Sequence, residues 1–259
     1  MPKNSSAGVG VPEAKYGNWV ALRLIYVPGL VGGGFLALSF WSAVLVIPAA
    51  LFFTVAGYFA YARFLFAPQG GNVQSSVWRT LLSHLEWDGR GRALDVGCGS
   101  GALTILLAKT YQGATVTGID NWGKGWEYSK SLCDRNAAVE GVGARVDFQQ
   151  GTASSLQFPD ETFDVVVSNL TFHEVKDAPD KRLLIKEALR VLKKGGKFAF
   201  QDLFLLKRTY GDVGILLESM KGWGVKRVDF EESWRAPYVP RALKLPFMIG
   251  TMGLVSGEK

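Results

Sequence analysis

Between Arg23 and Arg63 the chain carries no charged side chain for 39 consecutive positions, residues 24–62. A stretch that apolar must be buried in protein or in lipid, and one membrane-spanning helix takes only about 20 residues. The run is therefore long enough for two. Ser39, Trp41 and Ser42 stand at its middle, where a tight turn with an interfacial aromatic residue belongs. The expectation is a transmembrane helical hairpin over residues 18–66. A cleaved signal peptide does not fit, because its apolar core is only about 7 to 15 residues long. Pro28, Pro48 and the triplet Gly32, Gly33, Gly34 weaken both helices, which leaves a shallower re-entrant hairpin as the alternative. Lys15, Arg23 and Arg63 fall on one side of such a hairpin, and the positive-inside rule assigns that side to the cytoplasm. The expected location is a membrane, with everything after Arg63 on its cytoplasmic side.

Residues 1–17 are small and polar without apolar periodicity and are expected to form a flexible tail without chemistry. Residues 67–71 contain Pro68, Gly70 and Gly71, break helix continuity and read as a linker. A soluble domain is expected over residues 72–259. A net charge of +6 suits an anionic surface or solubility alone. No dense basic stretch interleaved with aromatics forms a nucleic-acid groove, so no nucleic-acid partner is expected. With only two cysteines, Cys98 and Cys133, neither a disulfide framework nor a cysteine metal site is indicated, and no metal is expected.

Beyond the linker the hydrophobic period alternates. Val77, Leu81, Leu82 and Leu85 suggest a helix, residues 92–96 a buried strand, 102–110 a helix and 115–119 a second strand. Residues 127–139 read as helix, 145–149 as extended, 163–168 as an apolar strand, 181–192 as an amphipathic helix and 197–203 as another apolar strand. Such alternation specifies an α/β fold, a doubly wound parallel sheet with helices on both faces. Residues 225–231 and 247–255 look like two strands with no helix between them, an expected antiparallel hairpin at the end.

The most informative stretch is Leu94, Asp95, Val96, Gly97, Cys98, Gly99, Ser100, Gly101, which joins a buried strand to a helix. Its glycines let a ligand touch the backbone, and the helix N-terminus offers free N–H groups to a carboxylate or phosphate. Gly97, Gly99 and Ala102 also satisfy the dinucleotide fingerprint of a nicotinamide-dependent oxidoreductase. Asp95 argues against that rival, because it would attract a ligand's ammonium group and repel a pyrophosphate. Asp120 closes the second strand 23 residues after Gly97, the spacing of a carboxylate that accepts ribose hydroxyls. Trp122 beside it could cover an adenine face or pack as a boundary residue.

With these motifs the sequence resembles the class I S-adenosylmethionine-dependent methyltransferases, in the branch of quinone, lipid and other small-molecule enzymes. The resemblance covers residues 72–259. It implies a Rossmann-like, doubly wound, seven-stranded sheet with one antiparallel strand, and S-adenosylmethionine as cofactor. The residues it implies for cofactor binding are Asp95, Gly97, Cys98, Gly99 and Gly101 in the first turn, then Asp120, Asn121 and Trp122, then Gly151, Thr152 and Ala153, and finally Asn169 and Leu170. The third turn usually reads Gly, Asp, Ala in that family. Here Thr152 replaces the acid, so the charge-assisted bond to the adenine amino group is lost. Ser168, Asn169, Leu170, Thr171 lacks the diproline pattern of adenine-specific nucleic-acid methyltransferases. His173, one of two histidines, is the leading candidate for a general base. The expected acceptor is an amphiphilic or lipid-like small molecule, because a membrane anchor concentrates the enzyme where such a molecule resides. A soluble-substrate or RNA methyltransferase and a non-catalytic cofactor-binding scaffold are the alternatives.

Overall fold

The computed structural model describes residues 13–123 and 128–259. Residues 1–12 of the expected tail, and Glu127 at the start of one expected helix, lie outside them. The uncharged run forms helix α1 (Arg23–Leu38) and helix α2 (Val46–Phe66), connected through residues 39–42 and a 3₁₀ turn, Ala43–Leu45. Small residues let the two helices meet. A Cβ added at Gly32 would stand 3.2 Å from the Ala49 carbonyl oxygen and 3.3 Å from Phe52, and Phe35 stacks on Phe52 at 5.8 Å. Pro48 falls in the first turn of α2, where its missing N–H breaks no helical bond.

Two equal spans do not result. One helix, Ala43–Phe66 with its 3₁₀ turn included, is long and apolar enough to cross a membrane, whereas α1 has 16 residues. Part of α2 is also committed elsewhere: Ala62, Leu65 and Phe66 are buried in a cluster with Val73, Val77, Val239, Leu243, Ile249 and Met252. The expected linker is a compact turn that folds back, with both Gly70 and Asn72 N–H groups donating to the Ala67 carbonyl at 3.0 Å. A Cβ at Gly70 would sit 1.9 Å from the Phe64 carbonyl oxygen. The base of α2 thus shares a core with the domain instead of swinging free of it.

The tail expectation changes as well. The Lys15 N–H donates to Asn136 Oδ1 at 2.8 Å, Asn136 Nδ2 returns a bond to the Lys15 carbonyl at 2.9 Å, and Ser100 Oγ donates to the Tyr16 carbonyl at 2.9 Å. Tyr16 and Trp19 each meet Trp78 edge-on. Residues 15–19 form a strap held by aromatic packing that their small and polar neighbours in sequence concealed.

The domain follows the order α3 (Val73–Ser83), β1 (Arg90–Val96), α4 (Ala102–Thr110), β2 (Gly113–Asp120), α5 (Lys130–Val139), β3 (Val146–Gln150), β4 (Phe163–Asn169), α6 (Arg182–Arg190), β5 (Leu192–Asp202), α7 (Lys207–Tyr210), α8 (Val213–Gly222), β6 (Arg227–Glu231) and β7 (Gly253–Glu258). The seven strands lie in the order β3-β2-β1-β4-β5-β7-β6. Strands β3, β2, β1, β4 and β5 are parallel to one another, and β7 runs antiparallel to β5 and β6. Helices cover both faces, so β4 and the second half of β1 are buried, and residues 165–167 of β4 form a continuous apolar run. Two elements differ from the sequence reading. Helix α8 emerges between β5 and β6, and the last strand begins at Gly253 because the preceding residues turn over the base of α2.

Candidate functional site

The carboxyl ends of β1, β2, β3 and β4 converge on the turn between β1 and α4. Gly97, Gly99 and Gly101 all take positive φ there, at 78°, 55° and 81°. Gly97 has a second reason to lack a side chain: a Cβ would lie 2.1 Å from Thr171 Cγ2. The Gly97 and Cys98 N–H groups both donate to the Ile119 carbonyl, at 2.8 and 2.9 Å, which ties the turn to β2. Burial pushes the Cys98 thiol well above its ordinary range, so it is no nucleophile.

Asp95 faces inward beneath this turn, 1% exposed, and its Oδ2 accepts from Thr104 Oγ1 at 2.7 Å. Burial pushes its carboxyl up to about 7, with the Asp120 charge adding to the rise and the Thr104 bond opposing it. A carboxyl raised in this way lacks a counter-cation, and a positive group placed at the turn would stabilise its charged form. Asp120 is half-buried and accepts from two backbone N–H groups, Gly99 at 2.9 Å and Trp122 at 2.8 Å. A carboxylate offers about four lone-pair sites, so acceptor capacity remains for ligand hydroxyls. Trp122 adopts φ 44° and its indole Nε1 donates to the Gly99 carbonyl at 2.9 Å, so its ring lies against the glycine turn. Asn121 holds the same loop, with its Oδ1 accepting from the Gly123 N–H at 3.0 Å.

Gly151 follows β3, and its N–H donates to the Asp120 carbonyl at 3.0 Å; Ala153 is buried. Thr152 has an acidic partner that the sequence did not reveal. Its Oγ1 donates to Asp177 Oδ2 at 3.2 Å, and Ser154 Oγ donates to the same oxygen at 2.6 Å. The Ser154 bond holds the Asp177 carboxyl below its ordinary range. A carboxylate therefore stands at the third turn after all, delivered from the loop that follows β4.

At the end of β4, Leu170 is in the left-handed region at φ 51°, a conformation that costs a leucine of order 1 to 3 kcal/mol. Its N–H donates to the Gln201 carbonyl at 2.7 Å, and its side chain joins the apolar cluster at the base of α2. Asn169 Oδ1 is buried without a protein partner. His173 lies two residues beyond Thr171, the residue that contacts Gly97, with Nδ1 2.6 Å from Asp202 Oδ1. Asp202 ends β5, is fully buried, and its Oδ2 accepts from the Phe172 N–H at 2.8 Å. Burial works against a charged His173, yet the Asp202 charge and hydrogen bond outweigh it and raise the imidazole to about 10. At neutral pH the ring keeps its proton. The expected base is thus held as an imidazolium by a carboxylate that sequence reasoning missed, and Glu174 Oε1 lies 3.5 Å from Nε2.

Residues 94–200 match the family described as methyltransferase domain. The matched stretch, 107 of the chain's 259 residues, is similar to a methyltransferase domain. The match starts at Leu94 and so takes in the glycine turn, Asp120, the third turn and His173. Among curated proteins, the chain is 36% identical over 126 residues to a fatty-acid O-methyltransferase of Mycolicibacterium smegmatis, covering 49% of this chain and 42% of that one. It is 32% identical over 170 residues to the 27-O-demethylrifamycin SV methyltransferase of Amycolatopsis mediterranei, covering 60% of each. The chain thus spans about half the length of these relatives. Among solved structures, geranyl diphosphate C-methyltransferase from Streptomyces coelicolor A3(2), in complex with S-adenosyl-L-homocysteine, gives a TM-score of 0.56 at 16% identity, over 72% of this chain and 79% of that one. The [4+2]-cyclase SpnF gives 0.54 at 20% identity, over 71% and 80%. These likenesses establish a Rossmann-like α/β fold. A fold alone does not set the reaction.

Proposed function

We propose that the protein transfers a methyl group from S-adenosylmethionine to an amphiphilic, lipid-like acceptor at a membrane surface. The observation that carries this reading is the three-glycine turn, with the uncompensated Asp95 carboxyl beneath it and Asp120 pinned to its edge. The residues fit the cofactor end to end. Asp95 favours the ammonium group, and α4, which begins after Gly101 without a capping side chain, offers its first N–H groups to the carboxylate. Asp120 accepts the ribose hydroxyls, while Thr152 with Asp177 faces the adenine amino group. Asn169 and Leu170 close the side nearest the acceptor, and Asn121 and Trp122 hold the loop over the turn.

When bound, the cofactor supplies an electrophilic methyl group on a sulfonium sulfur. The chain's own work is to position the acceptor and exclude water. His173, protonated and braced by Asp202, donates from Nε2 to the polar end of the acceptor and orients its lone pair. That role suits an acceptor that reaches the site already carrying negative charge, such as the carboxylate of a fatty acid, and the fatty-acid O-methyltransferase relative supports this choice. The exposed apolar surface of α1 and α2 supports attachment to a membrane.

Isothermal titration with S-adenosylhomocysteine tests the cofactor assignment. Binding is expected, and Asp120→Ala should weaken it at least tenfold, about 1.4 kcal/mol. Tighter binding of a nicotinamide dinucleotide would overturn the class.

A further inference from the structure

The helix Ala43–Phe66 is long enough to cross a bilayer, but its base is engaged by the domain. The lower part of α2 belongs to the protein: the Tyr58 hydroxyl donates to the Ala242 carbonyl at 2.9 Å, and Phe59, Ala62, Leu65 and Phe66 pack into the cluster shared with Val239 and Leu243. Beyond that contact the helix retains residues 43–57, about 22 Å at 1.5 Å per residue. The hydrocarbon core of a bilayer is about 30 Å thick. What protrudes is apolar on many sides, with Leu30 72%, Ile47 71%, Phe40 87% and Trp41 78% exposed.

A collar surrounds the base of this protrusion. Phe247 is 66% exposed and its ring lies 5.8 Å from Tyr58. The 3₁₀ turn Arg241–Leu243 sits against α2 through the Tyr58 bond. Among the described residues, Arg23, Arg241 and Lys244 pair with no carboxylate. Glu232 pairs with Arg235, and Glu231 Oε2 lies 2.9 Å from His84 Nε2. The collar is therefore cationic where the protrusion meets the domain.

We propose that α1 and α2 enter a single leaflet of an anionic bilayer without spanning it, with Phe247 at the headgroup level and Arg241 and Lys244 on anionic lipid headgroups. The proposal rests on the membrane reading above and fixes its topology and lipid class. Lys244 lies over the Trp234 ring at 5.8 Å and keeps its charge, and basic side chains at a negative surface add to apolar insertion in a salt-dependent way.

The test uses the full chain with vesicles of phosphatidylcholine alone or mixed with phosphatidylglycerol. Binding should favour the mixed vesicles, and Arg241→Gln and Lys244→Gln should each weaken it roughly fivefold with S-adenosylhomocysteine affinity unchanged. Ser42→Cys places a thiol at the tip, and the native Cys98 and Cys133 are buried. A membrane-impermeant maleimide should label this thiol in free protein, but neither from outside nor from inside the vesicles once bound. Labelling by reagent trapped in the lumen would show that the helices span and overturn the single-leaflet topology. Equal binding to neutral vesicles would overturn the anionic collar. Absence of binding to either vesicle would remove the membrane reading itself.

Discussion

His173 Nδ1 lies 2.6 Å from Asp202 Oδ1, on a carboxylate that is completely buried and already accepts backbone N–H groups from Phe172 and Leu203. The pair holds the imidazole protonated up to about pH 10. A histidine raised in the folded state contributes stability that is fully present below its unfolded pKa of about 6.5 and is lost as pH rises through about 10. Asp202→Asn should therefore lower stability by about 1 to 3 kcal/mol near neutrality, and the gap to wild type should narrow as pH approaches 10. Urea denaturation at several pH values measures this. The variant should also return the His173 titration toward the ordinary histidine range in an NMR titration, a change that loss of packing alone would not produce.

Cofactor affinity should be proton-linked if the cofactor's ammonium group is received, as proposed, by Asp95. Its carboxyl, pushed up to about 7 by burial, must be ionised to attract the cofactor's ammonium group. Below pH 7 binding has to displace a proton, so affinity should fall toward tenfold per pH unit. Titrations at pH 8 and pH 6 in buffers of different ionisation enthalpy should show proton release at the lower pH. Asp95→Asn should remove both the release and the pH dependence.

On the proposed reading Asp177, bonded by Thr152 and Ser154, stands at the adenine edge in place of the acid missing at position 152. Asp177→Ala should weaken S-adenosylhomocysteine binding by about 0.5 to 1.5 kcal/mol, less than Asp120→Ala, because this carboxylate is exposed. The loss should shrink for an analogue without the adenine amino group. An equal loss for both ligands would place Asp177 in loop packing only.

A chain beginning at Asn72 should be less stable than the full chain and should expose Val73, Val77 and Leu243, since Phe66, Leu65 and Ala62 complete their core. Thermal denaturation of the two forms compares them. The sequence could not show this, because Pro68, Gly70 and Gly71 carry the signature of a flexible linker whether or not the turn packs back. The alternating α/β order and the turn holding Gly97 and Asp120 were legible, since period and glycine spacing are local properties. Asp177 and Asp202 were not. Each acts on a residue 25 or more positions away, and in sequence Asp202 is simply the end of an apolar strand. Its one available signal was position: β5 ends on the same sheet edge as β4, where ligands gather. The Tyr16 strap likewise depends on Asn136 and Ser100, contacts that periodicity does not report.

Incubating the full chain with methyl-labelled S-adenosylmethionine and membrane lipids, then resolving products by mass spectrometry, tests the central claim most directly. The account predicts label in an amphiphilic lipid fraction, carried by wild type and reduced at least tenfold by Asp120→Ala, the variant that weakens cofactor binding by about 1.4 kcal/mol. Label absent from every lipid while the cofactor is bound normally, or label appearing in RNA instead, would contradict it.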